Sequence, residues 1–550
     1  MSVKRTKDFK RIQQLPRRDW HDVAEHFAIR LTEELKTPQG TQTLKPIQGQ
    51  ALYEIGQMQG GFLPIGVGEG KSYISALAAT VLNAKKPVLF VPASLRSQTF
   101  DQVLLPLKKH WRINKNLLVQ CYSDLSIKHR ADAIFMRGHD VWIFDESHHL
   151  KNLNSGRTKR IAQHFAKNPD VKVVAMSGTM ANRSIMEYWH TLLWSLKEQS
   201  PIPLDKTEAM NWADAIDEKK PWMRRVEPSA LIELDKKPDP QHDKLTAART
   251  AFSKRLAQSP GVIVSLDNKG CNASIVINTI HLTPPSEIKD LMDQVANEWV
   301  DPQGGILFQA SEVWRTLREL GMGFYYKWKY PGPPDWMEAR KVYSRYVRER
   351  LQYQPLKYQT PGDVWEYQES LEENEQAKEF VNWVEIRDTF KPIQQSHWIS
   401  DHVIDYCSSW LKKHKQICWV EHIAFGERLA RASGCRYFGG DDDDHRDVLT
   451  ARGPIICSIQ AHGVGKNFQD RYDRNLVTSS PTKGETYEQL IGRTHRHGQK
   501  SDEIIFDQLL PNETHANCFI QAQRDAKWVE LNSGAKQKLN VANIIDSSEV

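Results

Sequence analysis

The chain has 550 residues, 40% of them hydrophobic and 26% charged, with a net charge of +6. That length is too great for one ordinary core and sets an expectation of roughly two to four domains. The seven cysteines are scattered without a CxxC pair, which excludes a disulfide framework or a zinc site and fits reduced thiols in a cytosolic protein. No apolar run reaches the ~18 residues of a membrane span.

Residues 1–40 read as a basic N-terminal extension. The opening stretch, MSVKRTKDFKRIQQLPRR, lacks the apolar segment of a secretory signal. Its cations either meet phosphates or belong to a solvated tail. Residues 41–200 alternate helical patterns with short β-branched runs at 88–91, 141–144 and 171–174. Continuous apolar runs between helical stretches predict buried parallel strands in an α/β layer fold. Prolines and charges replace strands over 201–268, a predicted helical connector. Strand-like runs return at 274–282, 417–420, 454–459, 475–478 and 503–507, predicting a second α/β domain over 269–530. A helical, tryptophan-rich insertion interrupts it at about 303–400, and 531–550 read as a C-terminal tail. The acidic run 441–444 reads as a solvated loop.

Three stretches carry chemistry. In PIGVGEGKS (64–72), Gly66, Gly68 and Gly70 let backbone amides face phosphate oxygens, and a helical pattern follows. Lys71 would reach the β- and γ-phosphates and Ser72 would ligate Mg2+. The strict GxxxxGKS pattern wants glycine where the chain has Ile65; the shorter GxGKS form is met. The alternative is a chance glycine-rich turn. The 141–144 strand ends in Asp145-Glu146-Ser147-His148. Carboxylates at the carboxyl end of a parallel strand lie where α/β sheets hold ligands. Asp145 would hold Mg2+ and Glu146 would orient the attacking water; an acidic turn is the alternative. In QLIGRTHRHGQ (489–499), Gln489, Arg493 and Arg496 fall at i, i+4 and i+7, one face of a helix. Two such arginines form either a solvated patch or a pair of fingers on the γ-phosphate, worth roughly 10³ to 10⁵ in rate. His495 and His497 read as structural.

These pieces, in this order, resemble helicase superfamily two, and within it the Swi/Snf-like group of DNA translocases. The resemblance covers about 40–195 and 270–515. It implies two RecA-like domains that close on ATP and Mg2+. It also implies Gln48, in LKPIQ, as the adenine reader, and Ser94, in PASL, as a strand contact. The quartet ending in His148 is a form of the family's DEAH box. Ser177 and Thr179, in SGT, would couple hydrolysis to nucleic-acid grip. The segment SIQAHGVGKN (458–467) is similar to STKAGGVGLN, implying that Ser458 meets the tracked strand and that Gly465 and Asn467 lie near the nucleotide. The 489–499 segment matches QxxxRxHRxGQ at every fixed position. His462 and Lys466 depart from the fifth motif, 200–265 lack the family's basic linker motif, and the insertion up to about residue 400 has no counterpart in the family.

In the insertion, WMEARKVYSRYVRERL (336–351) reads as an amphipathic helix. Arg340 and Arg345 would track phosphates on its basic face, unless that face is simply solvated. The six tryptophans at 314, 328, 336, 365, 383 and 398 either stack on bases or form a local core. The expectation is therefore an ATP-driven translocase on DNA, duplex favoured and single strand possible. An RNA enzyme of the same fold and a non-catalytic ATP-gated scaffold are the alternatives; a metabolic kinase would leave the second domain unexplained. A compact motor of this kind points to the cytoplasm of a bacterial cell or a phage-infected host.

Overall fold

The computed structural model describes residues 2–18, 23–66, 69–178, 180, 183–217, 226–265, 271–328, 332–354, 357–358, 361–390, 393–440 and 447–547. The fold is α/β with two parallel sheets. Strands β1 (Gly61–Leu63), β2 (Pro87–Val91), β3 (Leu118–Cys121), β4 (Val141–Asp145) and β5 (Lys172–Met176) form the first, in the order β1-β5-β4-β2-β3. Alternate residues along each strand enter opposite cores. Leu89, Ile143 and Val174 join helices Pro46–Met58 and Lys71–Val81, whereas Val88, Phe90, Trp142, Phe144 and Val173 join helix Gly156–Lys167. A sheet covered on both faces needs apolar side chains at every position, which is why these strands read as unbroken runs.

The chain continues through β6 (Ser274–His281), an antiparallel ribbon of β7 (Phe324–Trp328) and β8 (Gln394–Trp398), then β9 (Ile417–Val420), β10 (Arg436–Phe438), β11 (Ile455–Ser458), β12 (Arg474–Val477), β13 (Glu503–Leu510) and β14 (Asn543–Ser547). All but the ribbon form a seven-stranded parallel sheet, ordered β10-β11-β9-β12-β13-β6-β14. The segment expected as a C-terminal tail is therefore partly an edge strand, with β14 paired to β6 from Asn543 to Ser547. Its polar pattern hid it, because an edge strand need not be apolar on both faces.

The ribbon is the neck of the insertion. Trp336, Trp365 and Trp383 are buried in one small core with Tyr343 and Phe380, so packing takes up these three tryptophans. Trp314 is on the surface, with Arg318 over its ring at 4.9 Å. The side chain of Trp328 and the run 441–444 lie outside the described residues.

Between the sheets, the predicted connector forms helices Lys206–Ile216, Ser229–Ile232 and Lys244–Ala257. Trp212, Phe252 and Leu256 share a core with Phe9 and Ile12 from the N-terminal helix Lys7–Gln14 and with Trp528 from helix Glu513–Ser533. Three arginines of the basic extension are turned inward. Arg11 donates to the carbonyls of Ser200 (3.0 Å) and Ile202 (2.9 Å), and Arg17 to that of Leu234 (2.6 Å). Arg18 forms a buried fork with Glu54 at 2.7 and 2.9 Å. Neither alternative for these three cations, phosphate contact or solvation, describes them: backbone carbonyls claim Arg11 and Arg17, and the Glu54 carboxylate claims Arg18. No described helix is long and apolar enough to cross a membrane.

Arg18→Ala should destabilise the fold by about 3–5 kcal/mol, because Glu54 loses its buried counter-charge and keeps only neutral donors such as the Gly261 amide and Gln50. Denaturant unfolding measures this; a loss under about 1 kcal/mol would mean that Glu54 finds another partner or water.

Candidate functional site

The carboxyl ends of β1, β4 and β5 face the helix Gly484–Thr494 of the second sheet, and the sequence-selected residues gather along that seam. The glycine-rich loop follows β1. Gly70 has φ +81°, a left-handed turn that favours glycine, and a Cβ there would stand 2.2 Å from Nε2 of Gln48, so that side chain would have to move. Gln48 begins its helix, accepting from the Lys45 amide at 2.9 Å and donating to the carbonyls of Glu69 and Gly70, both at 3.3 Å. Lys71 is the first residue of helix Lys71–Val81 and Ser72 the second. The Lys71 ammonium donates back to the carbonyls of Ile65 (3.1 Å) and Gly66 (3.3 Å). Gly68 and Thr179 lie outside the described residues, as does the side chain of Ser94.

β4 delivers Asp145, and the chain then turns through Glu146 at φ +56°. A left-handed non-glycine residue costs about 1–2 kcal/mol, and such strain gathers at functional sites. Burial, then the Glu146 carboxylate, push the Asp145 carboxyl up to about 7. Burial also works against the charge of Glu146, but Lys71, His148 and Arg493 outweigh it and hold that carboxyl below its usual range. The two neighbours are thus pushed apart, Asp145 toward its protonated form and Glu146 kept ionised. The Ser177 hydroxyl, just past β5, donates to Glu146 at 3.2 Å and lies 2.9 Å from Nδ1 of His148.

His148 spans the seam. Its Nδ1 is 3.4 Å from Glu146, and its Nε2 is 3.1 Å from Oε1 of Glu485 on the facing helix. Lys151 binds the other oxygen of Glu485 at 2.8 Å. Burial opposes the imidazolium, yet Glu485 and Glu146 raise its pKa on balance. Two further bonds cross the seam. Gln98 donates to the Gly465 carbonyl at 2.6 Å, and Arg183 forks onto Asp525 at 2.8 and 3.2 Å. Gly465 has φ +77°, and a Cβ there would fall 2.1 Å from a Leu95 methyl.

On the facing side, Arg493 is buried, donating to the carbonyls of Gln489 (2.8 Å) and Lys466 (3.0 Å). Burial and then Arg496 work against its charge while Glu146 favours it; a guanidinium stays protonated regardless. The helix stops at Thr494, so Arg496 does not share a helical face with Gln489 and Arg493. It sits in the following turn, bonded to Oδ1 of Asn467. The spacing looked helical, but His495 leaves helical geometry at φ −88°, ψ 85°. Gln489 is buried, and among the described residues its Nε2 has no hydrogen-bond partner. The Ser458 hydroxyl caps the short helix Ile459–His462 through the Ala461 amide at 3.3 Å, which commits it locally.

Arg340 and Arg345 lie far along the sequence on helix Pro334–Tyr353. Arg345 is exposed with Lys341 and Arg348, whereas Arg340 is half-buried. All four line a cleft of about 640 Å3 with Asp301 and Glu338.

Sequence reasoning missed Glu485, Arg183 and Asp525. A signal existed for the first, since Glu485, Gln489 and Arg493 recur every four residues on one helix. None existed for an ion pair 342 residues apart in sequence.

Protonated His148 strengthens the seam. The raised imidazole pKa makes that contribution complete below the ordinary value of 6.5 and lost as pH rises through the folded value. Fluorescence transfer between dyes on the two sheets should report a closed fraction that falls across that window. Glu485→Gln should flatten the profile; an unchanged profile would remove His148 from the linkage. No protein-family model matches the chain, and no curated protein matches it.

Proposed function

We propose that the chain is an ATP-driven motor that moves along DNA, built from two RecA-like domains that close on ATP. The observation that carries this reading is the meeting, across one seam, of Lys71, Asp145 and Glu146 from the first sheet with Arg493 from the second. The glycine-rich loop fits a triphosphate: its turn at Gly70 favours glycine, and a helix N-terminus and an ammonium follow. The Ser72 hydroxyl and Asp145 carboxylate suit Mg2+, a hard cation that takes few protein oxygens and keeps the rest for water and phosphate.

Ser72 and Asp145 would hold the Mg2+, whose positive charge would offset what develops on phosphoryl transfer. Glu146, held ionised by its three cationic neighbours, would accept the proton of the attacking water and aim it at the γ-phosphate. Arg493 and Arg496 would meet the equatorial oxygens from the facing side. Gln48 would read adenine, in keeping with its place against the loop. His148, touching Glu146, Ser177 and Glu485, would pass the state of the site to the second sheet. Closure on ATP and release after hydrolysis would then alternate the grip on a strand. Duplex DNA is the favoured track, and the exposed Lys341, Arg345 and Arg348 would bear on its phosphates.

Steady-state ATP turnover should rise severalfold with duplex DNA and stay near zero in Lys71→Ala. Stimulation by RNA or a single strand alone would replace the translocase reading with an unwinding enzyme, and no turnover on any polymer would favour an ATP-gated scaffold. Reversing Arg345 and Arg348 to Glu should weaken DNA binding and reduce the log–log salt slope by about 0.9 per lost phosphate contact. A slope that stays the same would make this a solvated face.

A further inference from the structure

The C-terminal segment reaches the same seam from behind. Helix Glu513–Ser533 ends at Gly534, whose φ of +74° turns the chain beside Ser253 of the connector. The Lys536 amide then donates to the Ser265 carbonyl at 3.2 Å, and the Ser265 hydroxyl accepts from the Gly66 amide at 3.0 Å. Two residues later the segment grips the arginine-bearing helix. The amides of Lys538 and Leu539 donate to one carboxylate oxygen of Glu488, at 2.8 and 3.3 Å. The Lys538 ammonium lies 3.2 Å from Nδ1 of His495, and Nε2 of His495 lies 2.9 Å from the Ala273 carbonyl. An ammonium only donates and a carbonyl only accepts, so Nδ1 is the acceptor and Nε2 carries the proton. Both edges of the imidazole are therefore fixed.

His495 is the residue where the helix ends, and Arg496 is the next. Beyond a helix end each residue keeps two soft backbone dihedrals, so the direction of Arg496 depends on what holds His495. Lys538 is 4% exposed. A lysine is a costly way to fill such a space if packing were its only purpose. We infer that residues 534–541 are part of the nucleotide machinery, with Lys538 a positioning residue that sets Arg496 by clamping His495. Burial is the largest influence on the Lys538 charge and works against it; Glu488 and the loop residue Glu69 support that charge, and Arg496 opposes it. This rests on the ATP reading above, and it gives the C-terminal segment a task in transition-state stabilisation.

Lys538→Met combined with Glu488→Gln removes both buried charges and leaves an amide oxygen for the two backbone donors. In that double variant kcat should fall about tenfold or more, while the Kd of a non-hydrolysable ATP analogue changes less than about threefold. In an Arg496→Ala background the same pair should cost nothing further, because Lys538 acts through Arg496. Additive losses, or an unchanged kcat, would overturn the inference. A second readout needs no variant: hydrogen exchange at the amides of Lys536, Lys538 and Leu539 should slow when the analogue binds, and exchange indifferent to the analogue would also overturn it. A parent chain that neither binds the analogue nor turns over ATP would remove the functional reading and this inference together.

Discussion

A carboxylate held ionised away from water is the constraint around which the seam is arranged. Removing such a charge from solvent costs several kcal/mol unless cations and donors surround it. Glu146 meets that demand from both sheets. Lys71 comes from the glycine-rich loop, His148 from the turn after β4 and Arg493 from the facing helix. Lys71 and His148, both on the first sheet's side, have the larger influence, and Arg493 adds to it from across the seam, so joining the two sheets further favours the charge on Glu146. The left-handed backbone at Glu146 adds a local cost that the surrounding structure must offset.

The parallel sheets make that arrangement possible because all their strands end on one side. β1, β4 and β5 deliver the glycine-rich loop, the acidic pair and Ser177 to one edge. The helical connector, the N-terminal helix and helix Glu513–Ser533 share a core behind it. Beside that core three arginines of the N-terminal extension turn inward, Arg11 and Arg17 onto backbone carbonyls and Arg18 onto Glu54. The seam is thus backed by contacts that do not take part in its chemistry.

Much of this was legible in the sequence, for physical reasons. Strands covered on both faces must be apolar throughout, so 88–91, 141–144 and 417–420 stood out against their flanks. β1 is only three residues long and β14 is a polar edge, and neither announces itself. The helix carrying Gln489 and Arg493 was readable from spacing, but its end was not, because no glycine or proline stands at His495, where it stops. Lys538 gave no signal at all: a lysine in a polar terminal stretch looks solvated until the chain folds back. The tryptophans of the insertion were readable as a group, and Trp336, Trp365 and Trp383 proved to share a core with Phe308, Tyr343, Tyr346 and Phe380.

The approach of Gly465 to Leu95 has a consequence of its own. A methyl group at that point would meet the Leu95 methyls unless that side chain moved aside. A contact without clearance behaves as a threshold, because a partly seated interface would hold the two surfaces apart and forfeit the Gln98 bond beside it. Any side chain added at Gly465, or any widening of Leu95, would therefore be felt directly at the Gln98 bond that crosses the seam.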